Sequence, residues 1–310
     1  MGNVFAIIKP ILHAIMKAIG MTSMLVEIEP GTTMHFWVPI ESTAIHQDPN
    51  NKPKPTVVFL HGFVANGIMT WLFQMVSLRT SGADFAVYVP DLLFFGDSIT
   101  DCPERSTSFQ AHCLAKGLMK LGVEKFSLVG FSYGGVVGFK LAQLYPDMVE
   151  SIVMSSTVIE LTESISNASL NNIGFTSWPD FLLPKTISDL KVLLSIGTHK
   201  FPWFPDFFFR DFLEVMFANR KEKLELLKAF VVSDKDAATP EYSQRIYLLY
   251  GDNDKIFNQA VSDTIKAKLG ENTTLEYIKS AGHLVQLERP FAYNCFLKKI
   301  LSYSSGSGKM

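Results

Sequence analysis

Cysteine is scarce in this 310-residue chain: Cys102, Cys113 and Cys295 make up the whole set. An odd, widely spaced trio builds no disulfide framework, and without a Cys-x-x-Cys pair it suggests no zinc or redox motif. The plain expectation is a reducing compartment, so the chain is read as cytoplasmic. A surplus of either charge is also missing. Lys and Arg total 28 against 30 Asp and Glu, which leaves no basic excess to neutralise a phosphate backbone and argues against nucleic acid as a partner. No apolar run approaches the roughly 20 residues that span a bilayer. No internal repeat is visible, and no G-x-G-x-x-G offers a dinucleotide loop. What is present is apolar matter: 47% of residues are hydrophobic and 19% charged. That composition excludes a disordered chain and is enough for a sizeable core.

The opening residues lack the longer apolar run and small-residue cleavage site of a secretory signal. Over residues 4–19, Lys9, His13 and Lys17 fall on one helical face, with Ile8, Ile11, Leu12, Ile15 and Ile19 mostly opposite. Two readings follow: a helix lying on a membrane surface, or a helix packed on the protein's own core.

Short apolar runs recur after the polar, Pro-rich stretch at 50–55. Thr56-Val57-Val58-Phe59-Leu60 is continuous and apolar, as a strand buried on both faces should be. Similar runs lie at 85–89, 126–130, 149–154, 246–250 and 275–278, with helical patterns at 109–121, 134–145 and 259–269 between them. The alternation predicts a mostly parallel central sheet flanked by helices. It breaks between 158 and 240, where a helical, aromatic-rich stretch includes Phe201, Phe204, Phe207, Phe208 and Phe209. Because the strand pattern resumes at Ile246, this stretch reads as a cap inserted after the sixth strand. The expected organisation is an N-terminal amphipathic segment (1–24), an α/β core (25–157 and 241–303), a helical cap (158–240) and a flexible tail (304–310).

The strongest chemical signal is Gly130-Phe131-Ser132-Tyr133-Gly134, a G-x-S-x-G directly after a strand pattern and directly before a helical one. In such a turn the serine stands at a strained apex and the glycines remove side chains that would clash. A serine hydroxyl needs a base. His283 follows the last strand pattern in Ser280-Ala281-Gly282-His283, on a loop that opens where such sheets bind ligands. An acid should lie between them in chain order, and Asp254 in Gly251-Asp252-Asn253-Asp254 is the choice. Asp252 is the competitor, expected instead to cap its own turn. Asp234 and Asp236 fall in the cap. Two N–H donors should receive a developing oxyanion: Tyr133, after the nucleophile, and Phe63, in the loop His61-Gly62-Phe63. His61 is expected to brace that loop.

Together these segments resemble the α/β-hydrolase family of serine hydrolases. The resemblance covers nearly the whole chain after about residue 25. His61-Gly62-Phe63 with Trp71 is similar to the family's oxyanion segment, and Gly130 through Gly134 to its nucleophile elbow. Gly251 through Asp254 matches the acid loop, and Gly282-His283 with Leu287-Glu288-Arg289-Pro290 matches the histidine loop and closing helix. Asp91-Leu92-Leu93-Phe94-Phe95-Gly96-Asp97-Ser98 is also similar, but Phe94 stands where many relatives have Gly. Among subfamilies the chain most resembles monoacylglycerol-lipase-like and meta-cleavage-product-hydrolase-like members, particularly plant ones. The resemblance implies an esterase or lipase-like enzyme without metal or organic cofactor, acting on a small apolar ester. It also implies two rivals: a C–C bond hydrolase with the same triad, or a non-catalytic small-molecule receptor on the same fold. Epoxide hydrolysis is disfavoured because the nucleophile position holds Ser132 rather than Asp. Peripheral membrane contact through residues 4–19 or the cap is a further expectation.

Overall fold

The computed structural model describes residues 3–42, 54–82, 85–237 and 240–304. Helix α1 (Val4–Ala18) leads into an antiparallel hairpin of β1 (Met21–Glu29) and β2 (Thr32–Pro39). Then follow β3 (Thr56–Leu60), α2 (Gly67–Thr80), β4 (Ala86–Pro90), α3 (Thr107–Lys120), β5 (Phe126–Phe131), α4 (Tyr133–Leu144) and β6 (Val149–Ser155). Five helices come next: α5 (Glu163–Ile173), α6 (Trp178–Leu182), α7 (Ile187–Gly197), α8 (Asp206–Met216) and α9 (Arg220–Phe230). The sheet resumes with β7 (Arg245–Gly251), α10 (Gln259–Leu269), β8 (Thr273–Ile278), α11 (Val285–Glu288) and α12 (Pro290–Ser304).

Among the described residues the main sheet has nine strands, in the order β1-β2-β4-β3-β5-β6-β7-β8, with the two-residue Ile99–Thr100 segment paired to β2. From β4 to β8 every pairing is parallel, and only the β1–β2 hairpin side is antiparallel. The central strands are apolar on both faces because alternate residues enter different cores. Val58, Leu60 and Leu128 join one apolar cluster, while Val57, Phe59 and Val129 join the other. Side-chain caps start the helices where the sequence offers Asn, Ser or Thr: Asn66, Ser106 and Asn258 each accept a hydrogen bond from the backbone N–H three residues on.

The expectations that need correction lie at the ends. Strand β1 begins at Met21, so the boundary placed at residue 24 falls inside a strand. The β1–β2 hairpin has no counterpart in the strand patterns: β1 is exposed along much of its length, while β2, although buried, is absent from them. Ser304 completes α12 rather than opening the tail, since Leu297, Ile300 and Leu301 bury one face of that helix near its end; 305–310 lie outside the described residues, as do 50–53. Helix α1 lies against the protein itself: Phe5 and Met16 are buried, and Phe5 packs on Phe208 and Phe212 of α8. Asp211 of α8 accepts a hydrogen bond from the Val4 N–H at 2.7 Å. No helix among the described residues is long and apolar enough to cross a membrane.

Between β6 and β7, helices α5 to α9 close over the C-terminal ends of the strands. Their neck is tied by a two-residue parallel pairing of Leu161–Thr162 with Val231–Val232 and by an ion pair from Arg105 to Glu225.

The α1–β1 junction is fixed to α2 by Arg79, whose guanidinium donates to the Ile19, Gly20 and Phe85 carbonyls and to both Glu41 oxygens. Burial works against the charge of Glu41, but Arg79's hydrogen bonds and charge outweigh it and bring the carboxyl from 4.5 down to about 2. A carboxyl lowered in the folded state stabilises above its unfolded pKa and loses that contribution as pH falls through its folded value. The Glu41 side chain is 29% exposed, which limits the effect to about 1 kcal/mol. The stability advantage of wild type over Glu41→Gln should therefore be present at pH 6 and shrink by pH 3 in urea unfolding. A constant difference would contradict the assignment.

Candidate active site

Ser132 sits between β5 and α4 with φ +51°, a left-handed value that costs a residue with a Cβ roughly 1–3 kcal/mol. Its neighbours hold it there. The Ser132 N–H donates to the Ser155 carbonyl at 3.0 Å, and its own carbonyl accepts from Thr157 Oγ1 at 2.6 Å. The glycine pattern has a packing reason. A Cβ on Gly134 would stand 2.3 Å from the His61 carbonyl oxygen and 2.6 Å from that of Leu60. The elbow and the loop after β3 are therefore pressed backbone to backbone. Tyr133, as the first residue of α4, has an N–H with no partner within the helix, and the positive end of the helix dipole lies behind Ser132.

The structure brings Ser132, His283 and Asp254 into one row. His283 Nε2 is 3.0 Å from Ser132 Oγ, and His283 Nδ1 is 3.0 Å from Asp254 Oδ2. A carboxylate only accepts, so Nδ1 carries the hydrogen and Nε2 is left to accept from the serine hydroxyl. The imidazole is wedged between the Phe131 and Phe257 rings, with centroids 5.1 and 5.7 Å away. Asp254 is buried, and its second oxygen accepts from the Ile256 and Phe257 N–H groups at 2.9 and 3.0 Å.

One expectation about these loops changes. The side-chain-to-backbone turn expected of Asp252 is made by Asp254, which is buried and accepts from the Ile256 N–H. Asp252 instead accepts from the Ala281 N–H and the Asn253 side chain, joining the acid and histidine loops. Gly282 has no positive φ. It is small because the cap lies on it: a Cβ there would meet Thr198 Cα at 2.8 Å and His199 N at 2.7 Å. Asp234 bonds to Ser164, away from the row.

Phe63 lies on the loop after β3 and its ring packs on Tyr133, centroids 5.7 Å apart, so the two expected N–H donors belong to touching segments. His61 is fully buried and braces this loop: Nε2 accepts from the Leu92 N–H at 2.9 Å and Nδ1 donates to the Gly62 carbonyl at 2.7 Å. Burial holds its pKa below the usual value. Glu288 had been read only as part of a sequence match. Its carboxylate accepts from the N–H groups of Gly282, His199 and Lys200 at 2.6–3.1 Å, so it clamps the histidine loop to the cap. No local pattern announces that role, because its partners lie up to 89 residues away.

Ser132 and His283 line an apolar cavity of about 210 Å³ roofed by cap residues, among them Phe181, Leu193, Leu194, Phe201, Phe204 and Phe208. The aromatic cluster of the cap thus serves two purposes. Phe204 and Phe208 stack on each other at 4.5 Å and also face the cavity, Phe209 is buried in the cap, and Phe207 is exposed.

A family model described as the alpha/beta hydrolase fold matches residues 55–290. Human epoxide hydrolase 4 is 23% identical over 308 residues, covering 86% of this chain and 78% of that protein. Epoxide hydrolase 2 of Siraitia grosvenorii is 33% identical over 103 residues, only 32% of this chain and 31% of the relative. Among solved structures, the lip1 protein of Acinetobacter baumannii AYE superposes with TM-score 0.78 at 18% identity over 97% of both chains. The 2-hydroxy-6-oxo-6-phenylhexa-2,4-dienoate hydrolase of Rhodococcus sp. strain RHA1 gives TM-score 0.70 at 19% identity over 90% of this chain and 98% of that one.

Gly134→Ala should destabilise the fold by about 3 kcal/mol or more, because the new methyl meets backbone that cannot rotate away. Urea unfolding within about 0.5 kcal/mol of wild type would overturn this account of the elbow.

Proposed function

This chain belongs to the alpha/beta hydrolase family, and on that premise we propose that it is a serine hydrolase that cleaves carboxylic esters of apolar acyl groups. The observation that carries the reading is the unbroken row from Ser132 Oγ through His283 to Asp254, with both gaps 3.0 Å, at the wall of an apolar cavity. Ser132 attacks the ester carbonyl as His283 takes its proton, and the tetrahedral oxyanion is received by the Phe63 and Tyr133 N–H groups. The C–O bond to the alcohol breaks as His283 returns the proton to it. Water, deprotonated by the same imidazole, then releases the acid and restores Ser132. Asp254 keeps the ring in the tautomer that leaves Nε2 free to accept, and stabilises the imidazolium.

The chemistry of the nucleophile favours esters over the epoxides in the relatives' names. A serine that opened an epoxide would become an ether, which offers water no carbonyl to attack. Acyl transfer leaves an ester that does. The C–C reading needs a cation beside the substrate in the catalytic cavity. Arg220 is spent on the Pro184 and Leu183 carbonyls, and Arg210 is exposed on α8; neither lines that cavity.

Ser132→Ala should abolish both p-nitrophenyl ester turnover and fluorophosphonate labelling; undiminished turnover would refute the nucleophile. Asp254→Asn should keep the fold and lower kcat about 10⁴-fold. Labelling of Ser132 with negligible turnover across a broad ester panel would favour a receptor on this fold. In a chain-length series, kcat/KM should rise about fourfold per methylene over the first few carbons beyond acetyl. A maximum at acetyl would contradict the apolar acyl assignment.

A further inference from the structure

A second cavity, of about 510 Å³, adjoins the catalytic one, and Ala65 and Met69 line both. It is lined by α1, the 94–97 turn, the start of α2, the α8–α9 connection and His35 and Trp37 of β2. Its walls are mostly apolar, and Phe5, Ile8 and Leu12 supply the α1 side. A volume in this range is typical of small-molecule sites, and the lining also carries nine polar or charged side chains.

One of those polar groups is Lys223, in the first turn of α9 and only 4% exposed. Its Nζ donates to the Met216 carbonyl at 2.7 Å and lies 4.8 Å from the centroid of Phe95. An ammonium carries three hydrogens, and buried lysines are almost always paired with an acid. Among the described residues Lys223 has no such partner. Burial lowers its pKa to about 8, so the amine remains mainly charged near neutral pH. The acids around the cavity are otherwise engaged or remote. Asp91 is held by the Gly67 N–H and His35 Nδ1 at 2.7 and 2.9 Å, while Asp97 is exposed. Lys9 and His13 stand exposed on α1.

The backbone here is also strained. Phe94 (φ +74°) and Asn219 (φ +55°) both line the cavity, and they are two of the five non-glycine residues with positive φ among those described, Ser132 being another. Such strain collects at functional sites.

We propose that this second cavity binds an apolar carboxylate, its anionic head on Lys223 Nζ and its hydrocarbon body against the α1 face. A single amine beside one carbonyl suits a monoanion better than a phosphate, which calls for several donors. The site uses no atom of the catalytic row, so it stands or falls separately from the hydrolase reading.

The test uses Ser132→Ala protein, in which turnover plays no part, with decanoate and decanol as calorimetric probes. Decanoate should bind at least tenfold more tightly than decanol. In the same background Lys223→Met should remove that preference while leaving decanol unchanged, and Lys223→Arg should restore much of it. Equal affinity for the two probes in the parent would overturn the proposal, as would an intact preference in a folded Lys223→Met. Where Lys223→Met does not fold, Ile8→Trp decides, because it fills the cavity from α1 and should weaken decanoate at least tenfold. Undiminished decanoate binding there would put the ligand elsewhere and sink the assignment.

Discussion

The turn at Ser132 is the constraint on which the rest of the site depends. A strand must reverse into a helix with a non-glycine residue at φ +51° at the apex, and that conformation persists only if its surroundings over-determine it. The grip comes from the end of β6. Ser155 accepts the Ser132 N–H, and Thr157 donates to the Ser132 carbonyl. The same short segment reaches the other way: the Ser156 N–H donates to the Leu249 carbonyl, and the Thr157 N–H to Tyr250 Oη. Leu249 and Tyr250 belong to β7, whose end carries Asp254. Ser132 and the strand that leads to Asp254 are thus held by one bracket three residues long.

The cap enters the same geometry from the opposite side. Glu288 gathers three backbone N–H groups, one from the histidine loop and two from the chain after α7, and Gly282 is bare so that the two segments can touch. The loop that presents His283 is therefore pinned between the sheet, through Asp254 and the Ala281–Asp252 contact, and the cap, through Glu288. A cap that merely covered the cavity would not need this link. Here the position of His283 and the shape of the apolar roof are parts of one packed unit.

The row of Ser132, His283 and Asp254 was legible in the sequence because each member sits in a short segment whose composition has a local cause. Gly134 and Ser132 lie two residues apart and answer to one turn, and the strand patterns before Ser132, Asp254 and His283 fix the end of the sheet at which they emerge. The unread parts are those whose cause is remote. Phe5 of α1 meets Phe208 and Phe212 more than 200 residues later. Lys223 looks like any lysine in the charged run 220–225, and only the fold buries it against Phe95 and Met216. Strand β1 forms the sheet's outer edge and is exposed along much of its length, so a search for buried strands passes over it. Periodicity favoured neither fate of α1, because an amphipathic stripe serves a membrane or a core equally well.

His61 and His283 show how far residue type alone underdetermines role. Each follows the end of a strand, each is at most 5% exposed, and each has both ring nitrogens in hydrogen bonds. The partners differ. Backbone groups hold both nitrogens of His61, with the Leu92 N–H aimed at Nε2, so protonating that nitrogen would break a bond and set a buried charge against a donor. His283 has a carboxylate at one nitrogen and a hydroxyl at the other. A proton arriving at Nε2 leaves the Asp254 bond intact and gains a charged partner. The same ring is a brace at one strand end, and at another, about 222 residues later in the chain, it stands between a carboxylate and a hydroxyl.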